Sequence, residues 1–594
     1  MRTRGPVTHR ADVGNETSFP GRFVPALSWV RAYQISWLPT DAVAGFTIWG
    51  LLIPEGIAYA SLAGLPPQAG LYTLLASLVL YAVFGTSKQL VVAGTSASAV
   101  LLYSSVSALH PKNAAAYAGL AAALVVLTGI LFAASGLFRL GFVTQFLSRP
   151  VMEGFVTGLA IFVMVSQLPK LFGLSKGPGD TIRQFGHLVA HLGSASLTTF
   201  AVGAVALVML FALDRVRWVP GGLVVLVVAL IVSTALGLHS HGVDTVGKVP
   251  AGLPAGQAPD FTSLWDLLPS AAGMMLVIFS EALGAAETFA DKHDYRIEPS
   301  QDMIALGLAN IGSGLLGGLP AGGSLSQSAV NDAAGARSQL SPVVASVLSL
   351  VTVLVLTPLF TNLPEAVLAA MIIHAVSHLL KVAQLRRFYR LARREFWLGM
   401  ITLLGVITLD VLPGLVIGVV LSLLVLAYHA SRPYFSVMGA EPGVPGGYED
   451  VRRHPAARPV PGVLIVRPDA PLFYANAQPL RDTVAELAGS AAGKVHTVIL
   501  DLDGNDELDI TGAEALDKLV GDLRRQHVRV ALAHVHAPVA DMLRRAGVAA
   551  ETGGLPEFLT LDSAVQWASS GTVPGPRAGQ VPDPSAERQG GGSM

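Results

Sequence analysis

The sequence predicts a polytopic α-helical membrane protein: fourteen transmembrane segments in a 7+7 inverted repeat, followed by a small soluble α/β domain. Three observations carry this prediction. The 594-residue chain is 52% hydrophobic and 13% charged, with a mean hydropathy of +0.56, far more apolar than a soluble protein of this length. Its apolar stretches fall into two equal sets. After Tyr428 the character changes, and a Pro- and Gly-rich stretch leads into short strands alternating with helices.

The first set of apolar stretches covers residues 42–60, 69–85, 91–108, 114–138, 150–171, 197–213 and 219–238. The second covers 271–290, 302–318, 321–333, 341–361, 364–380, 395–411 and 413–430. Several are shorter than the ~20 residues a spanning helix needs. An odd number of spans per half turns the second half over, so the repeats at about 41–238 and 271–430 are inverted with respect to each other. Lys and Arg test the count, because positive charge collects on the cytoplasmic side. One set of alternating loops carries fourteen: Lys88, Arg139, Arg149, Arg215, Arg217, Lys292, Arg296, Arg337, Lys381, Arg386, Arg387, Arg390, Arg393 and Arg394. The other carries five: Lys112, Lys170, Lys176, Arg183 and Lys248. This bias puts both termini in the cytoplasm and the transport domain, 39–431, in the cell inner membrane. The cluster from Arg386 to Arg394 also suits anionic lipid headgroups, although topology alone accounts for it.

Residues 1–38 show no short apolar region followed by a cleavage site, and read as a cytoplasmic N-terminal segment. Residues 432–461 read as a linker. From there, strands are predicted at 462–466, 495–501 and 528–533, with helices at 478–488, 512–526, 537–546 and 563–568, giving an α/β domain over 462–570. The Gly-, Pro- and Ser-rich tail, 571–594, is expected to be disordered.

Two of the apolar stretches are broken. Gly317 to Asn331 reads GGLPAGGSLSQSAVN, and irregular backbone of this kind survives at membrane depth only inside protein or along a cavity. Val91 to Val100, VVAGTSASAV, is its counterpart, and the two share the pattern S-x-S-A-V. Interrupted segments at matching places in two halves point to a transporter's binding site.

Composition removes other classes. A net charge of -1 without basic bias argues against nucleic acid as a partner. The absence of cysteine excludes disulfides, thiol catalysis and Cys-ligated metal. The fifteen histidines are scattered, largely in loops and the C-terminal region, with no HExxH or comparable spacing, and no GxxxxGK[ST] loop occurs. No enzyme, metal site or cofactor is expected.

Asp41 to Tyr72, DAVAGFTIWGLLIPEGIAYASLAGLPPQAGLY, resembles the signature of the SulP anion transporters, the solute carrier 26 family. Further matches are FGTSKQLVVAGTSASAVLL, the run from Gly247 to Pro254, ALGLANIGSGLLGGLPAGGSLSQSAVNDAAGA and TPLFTNLPEAVLAAMII, and the C-terminal domain looks like a STAS domain. The resemblance implies core and gate domains, a homodimer, elevator-like alternating access, and a cytoplasmic partner for the STAS domain. It also places the substrate, a small anion, between the facing half-helices of segments three and ten, at Thr95, Ser96, Ala97, Ser98, Gly323, Ser324, Leu325, Ser326 and Gln327. The physics agrees, since two helix N-termini present unpaired N–H groups and together roughly one positive charge.

Two departures matter. Many members of the family carry arginine where this chain has Gln327, and the family's usual Ile-Pro-Gln is here Ile53-Pro54-Glu55. Two N-termini alone give about +1, and an ionised Glu55 would cancel most of it, so an anion binds well only once Glu55 takes a proton. This predicts proton-coupled symport, a dicarboxylate such as fumarate being the first choice of substrate. Sulfate or bicarbonate transport, an anion channel or exchanger, and a membrane-anchored STAS signalling protein are the alternatives. Glu281 is the second candidate proton site, and Glu287 is expected at a solvated helix end. Asn310 and Asn331 are expected to bond broken backbone, and Phe46 or Phe155 to shape the cavity. Asp509-Ile510-Thr511-Gly512 resembles the D-S-S-G turn of anti-sigma-factor antagonists, making Thr511 a candidate for regulatory modification, although Thr511 with Glu514 also fits a helix cap, the favoured reading.

Overall fold

The computed structural model describes residues 24–141, 148–175, 177, 181–215, 221–247, 252–409, 411–490, 495–549 and 555–570. The chain forms two compact units, Met1–Leu423 and Leu424–Met594.

All fourteen apolar stretches form helices, thirteen within the first unit and the last continuing from it into the second. They are α1 (Leu38–Leu62), α2 (Gln68–Phe84), α3 (Ser96–Ser107), α4 (Ala114–Leu137), α5 (Arg149–Phe172), α6 (Leu197–Leu213) and α7 (Gly221–Leu236), then α8 (Leu264–Lys292), α9 (Pro299–Leu315), α10 (Leu325–Ala333), α11 (Leu340–Val351), α12 (Glu365–Ser377), α13 (Arg393–Leu409) and α14 (Val411–Ser431). Seven helical spans among the described residues are long and apolar enough to cross a membrane by themselves. Helix α11 continues through a π turn, Thr352–Leu356, and a 3₁₀ turn to Asn362. Helices α1–α4 pack chiefly with α8–α11, and α5 and α6 with α12 and α13, so each group takes matching members from both halves of the sequence, while α7 packs mainly on α1 and α6.

Small residues allow this packing, because close backbone approach replaces the hydrophobic effect between helices in lipid. A Cβ at Gly70 of α2 would lie 1.9 Å from the Gly56 carbonyl oxygen of α1, and one at Gly307 of α9 would lie 2.7 Å from the Gly129 carbonyl oxygen of α4. These glycines fix the distance between the helices that carry the break.

The break is an antiparallel pair of three-residue strands, β1 (Val92–Gly94) and β2 (Ala321–Gly323), paired Val92 with Gly323, Ala93 with Gly322 and Gly94 with Ala321. Each strand runs into a half-helix, β1 into α3 and β2 into α10, and the antiparallel register puts the two halves in opposite directions. Sequence reading located both breaks without giving them strand structure. Three residues are too few for a period, and their pairing is long-range. Two further helices, Thr181–His191 and Val382–Leu391, lie in stretches read as loops.

The soluble unit is a six-stranded sheet in the order β4-β3-β5-β6-β7-β8. Strands β5 (Val463–Pro468), β6 (Thr497–Asp501), β7 (Arg529–Ala533) and β8 (Glu557–Phe558) run parallel, and β6 is buried along its length, as expected where both faces of a parallel sheet are covered. Helices α15 (Ala477–Ser490), α16 (Ile510–Arg525), α17 (Ala537–Arg545) and α18 (Leu561–Ser570) complete the unit. The stretch 432–461 is not simply a linker. It supplies β3 (Phe435–Ala440), antiparallel to both β5 and β4 (Tyr448–Asp450). Its Pro and Gly form the turns flanking these strands, of which β4 is the sheet edge, and hide the strand signal. The tail, 571–594, lies outside the described residues.

Candidate functional site

Buried backbone polar groups at the break need partners, and side chains supply them. The Asn310 amide donates to the Ala321 carbonyl at 2.8 Å, while its oxygen accepts from the Ala321 N–H at 2.9 Å. Thr73 accepts from the Leu319 N–H and Ser313 donates to the Leu319 carbonyl, both at 2.6 Å. On the other strand, Ser77 donates to the Val92 carbonyl at 2.7 Å, and Ser328 accepts from the Val91 N–H at 2.9 Å. Asn331 donates to the Gln89 carbonyl at 3.0 Å, and Gln339 donates to the carbonyls of Ser87 and Leu90. Asn310 and Asn331 therefore bond broken backbone as the sequence led us to expect. The part of Gln339 had no pattern to reveal it.

Each half-helix is capped. Thr95 accepts from the Ser98 N–H at 3.2 Å while the Ser98 hydroxyl faces the Thr95 N–H, a reciprocal box at the start of α3. Ser324 caps α10 through the Gln327 N–H. The amides of Ser96 and Ala97, and of Leu325 and Ser326, precede the capped ones and have no intrahelical acceptor. Of the serine hydroxyls at the two half-helices, that of Ser98 is fully buried and bonded to the carbonyls of Thr95 and Pro320. Ser324 is half-buried, Ser326 is exposed, and their hydroxyls are 3.0 Å apart. Thr95, Ser96, Ala97, Gly323 and Gln327 are buried, and Leu325 is exposed.

Glu55 meets this arrangement directly. It follows Pro54 inside α1, and its Oε2 accepts from the Gln327 Nε2 at 2.7 Å. The same amide lies 3.4 Å from the Gly94 carbonyl of β1, so one side chain touches both halves of the break and the carboxylate of α1. Gln327 Oε1 is buried with no hydrogen-bond partner among the described residues. Glu281, half-buried on α8, neighbours Ala282, against which Gly323 packs so closely that a Cβ there would lie 2.9 Å from the Ala282 Cα. Tyr59 stands within electrostatic reach of both carboxylates.

Other expectations meet mixed outcomes. Glu287 is exposed, as a solvated helix end should be. Phe155 is fully buried, whereas Phe46 is 57% exposed and stands against Trp49 at 5.3 Å, so Phe46 lines no enclosed cavity. A cavity of about 320 Å³, missed in the sequence, lies between α1, α3, α5 and α12. Lys170, counted there only as a loop charge, lines it and pairs with Glu365 and Ser61, both at 3.2 Å. In the soluble unit the cap of α16 is Asp509, accepting from the Gly512 N–H at 2.7 Å, and not Thr511. Thr511 lies exposed within the first turn, because the helix begins two residues earlier than the Thr–Glu spacing indicated.

Two half-helices that start from a paired break inside a bundle of inverted repeats define a membrane transporter. Residues 38–402 match the model of the sulfate permease family and residues 454–564 that of the STAS domain, and the chain belongs to the sulfate permease family of anion transporters. It is 33% identical over 549 residues to a probable sulfate transporter of Mycobacterium tuberculosis (strain CDC 1551 / Oshkosh), covering 92% of this chain and 98% of that one. It is 29% identical over 561 residues to the chloroplastic sulfate transporter 4.1 of Arabidopsis thaliana, covering 91% and 82%. Among solved structures, the murine solute carrier 26 family member A9 anion transporter in its inward-facing state superposes with a TM-score of 0.87 at 26% identity, over 94% of this chain and 96% of that one. The transmembrane domain of the cyanobacterial bicarbonate transporter BicA shares the fold over 65% of this chain and 98% of its own, with a TM-score of 0.58 at 24% identity.

Proposed function

We propose that the protein is a secondary transporter of a small inorganic oxyanion, sulfate in first place and bicarbonate in second, taken up together with a proton through Glu55. The names borne by the relatives support sulfate over the dicarboxylate favoured on sequence grounds. That earlier choice rested on charge counting alone, and a divalent oxyanion meets the same count.

The Gln327–Glu55 hydrogen bond is the observation that carries the proton. An ionised Glu55 accepts from the Gln327 amide and offsets the roughly +1 of the two helix N-termini. A protonated Glu55 can instead donate to Gln327 Oε1 once the amide turns over, which gives the lone buried oxygen a partner. An arginine at this position could not make that exchange, because it has no acceptor. Glutamine thus holds Glu55 in either state, and protonation restores the positive field that an anion requires. Glu281 is the second candidate for the proton.

Alternating access by elevator-like movement of one helix group against the other, assembly as a homodimer, cytoplasmic termini and a cytoplasmic partner for the STAS domain belong to this reading through the family resemblance. Thr511 is the proposed site of modification in that domain.

Uptake of radiolabelled sulfate into proteoliposomes at pH 5 outside and 7 inside tests the reading, with bicarbonate and fumarate as competitors. Acid-driven accumulation in the wild type, lost in Glu55→Gln while sulfate exchange persists, is the expected result. Full gradient-driven accumulation in Glu55→Gln would remove Glu55 as the coupling group. Competition by fumarate ahead of sulfate would restore the dicarboxylate.

A further inference from the structure

We propose that Asp214, His374 and His378 form a binding site for a divalent transition metal ion of the zinc class, joining the ends of α6 and α12. His374 and His378 stand four residues apart at the end of α12 and therefore on one helix face. Asp214 is the C-cap residue of α6. Its Oδ2 lies 2.8 Å from His374 Nε2 and 3.6 Å from His378 Nε2, and one ligand atom from each residue falls within 4.8 Å of the others. Tetrahedral zinc with bonds of about 2.0–2.1 Å sets its ligand atoms about 3.3 Å apart, a spacing these side chains bracket. Two imidazoles and a carboxylate are a zinc ligand set with one position left for water.

The surroundings favour a cation independently of the ligands. Helices α6 and α12 both end here, and each C-terminus contributes roughly half a negative charge beside the Asp214 carboxylate. The Phe211 ring stands edge-on to the His374 ring at 4.9 Å and limits its rotation. Arg215, the next residue in the chain, directs its guanidinium to the Phe211 carbonyl. The three side chains range from 16% exposed at His374 to 60% at His378, which leaves the site open to ions from solution. Helices α6 and α12 pack directly against each other, so the metal would tie together elements already in contact and leave the anion site untouched. The pair His374 and His378 in IIHAVSHLL has the i, i+4 spacing of HExxH and corrects the reading that no comparable spacing occurs; its third ligand is 160 residues away and no motif links them.

The test uses the full-length protein, purified without a histidine tag, stripped with chelator and titrated with Zn²⁺ against a chromophoric competitor. The wild type should bind one equivalent more than the double variant His374→Ala/His378→Ala, and Zn²⁺ should raise its melting temperature but not that of the variant. His378→Gln, altering the most exposed ligand, should fold normally and bind at least tenfold more weakly, and it carries the test if the double variant does not purify. Equal stoichiometry and affinity in wild type and variants, or no binding by the wild type, would overturn the site. None of these readouts depends on transport.

Discussion

The side-chain amide of Gln327 donates to the carboxylate of Glu55 at 2.7 Å, joining the first turn of α10 to α1 beside Pro54 across 272 residues of sequence. The resemblance read from the sequence makes each side chain a departure from the family pattern, and the two stand in contact. One change removes a fixed cation and the other adds an anion, so together they shift the site by about two charges relative to an arginine–glutamine pair.

Gln327→Arg should therefore uncouple uptake from the proton. Arginine beside an ionised Glu55 leaves the positive field of the two helix N-termini uncancelled, and anion binding no longer requires protonation. Sulfate exchange at pH 7.5 without a gradient should rise by about tenfold, equivalent to ~1.4 kcal/mol in favour of the bound anion. Stimulation by external acid should shrink correspondingly. Unchanged acid stimulation in this variant would show that the Glu55 charge does not govern anion binding.

Asn310→Leu tests the scaffold. The substitution keeps approximate volume but leaves both the N–H and the carbonyl of Ala321 without their side-chain partner. Each orphaned buried group costs about 1–3 kcal/mol, so the break should lose several kcal/mol of local stability. We expect a lower melting temperature in detergent and loss of uptake, even though Asn310 lies outside the set of residues assigned to the anion. Retained transport with a wild-type melting curve would mean that β2 does not depend on this bond.

Gly70→Ala should separate packing from chemistry. The added methyl would meet the Gly56 backbone, which cannot swing aside as a flexible side chain would, and Gly56 is the residue after Glu55. Parting α1 from α2 displaces Glu55 relative to Gln327, and uptake should fall at least tenfold, with reduced yield of folded protein. Gly186→Ala, where nothing among the described residues lies within 4 Å of the added carbon, should leave both unchanged and gain a few tenths of a kcal/mol of helix stability. Equal behaviour of the two variants would show that the α1–α2 distance is not critical.

The parts of the molecule legible in the sequence are those that lipid dictates locally. Segments such as Ala114–Leu137 declare themselves by hydropathy, and the breaks at Val91 and Gly317 by glycine and serine where lipid would reject them. Glu55 and Gln327 were legible only as departures from a family pattern. Their electrostatic coupling was inferred from charge, and only the structure showed that they touch. What stayed hidden was long-range. Gln339, Lys170 with Glu365, and Asp214 with two histidines are ordinary residues until folding brings their partners close. Strands β3 and β4 were concealed differently, by flanking turns rich in Pro and Gly that resemble a linker.

The soluble unit allows Asp509 and Thr511 to be separated by substitution. Asp509 accepts from the Gly512 N–H through one oxygen and from the Tyr474 N–H through the other, so it ties the start of α16 to the loop before α15. Asp509→Ala should cost about 1–2 kcal/mol through loss of the cap. Thr511→Ala should cost a few tenths at most, since its side chain is exposed and the cap lies elsewhere. Thr511→Glu places negative charge in the first turn of a helix, where the dipole favours it, and should be neutral or slightly stabilising. A change in uptake in Thr511→Glu at unchanged melting temperature would then report regulation through the surface of this unit. A loss of stability in Thr511→Ala equal to that in Asp509→Ala would instead return the cap to Thr511 and remove the reason for treating its hydroxyl as available to a modifying enzyme.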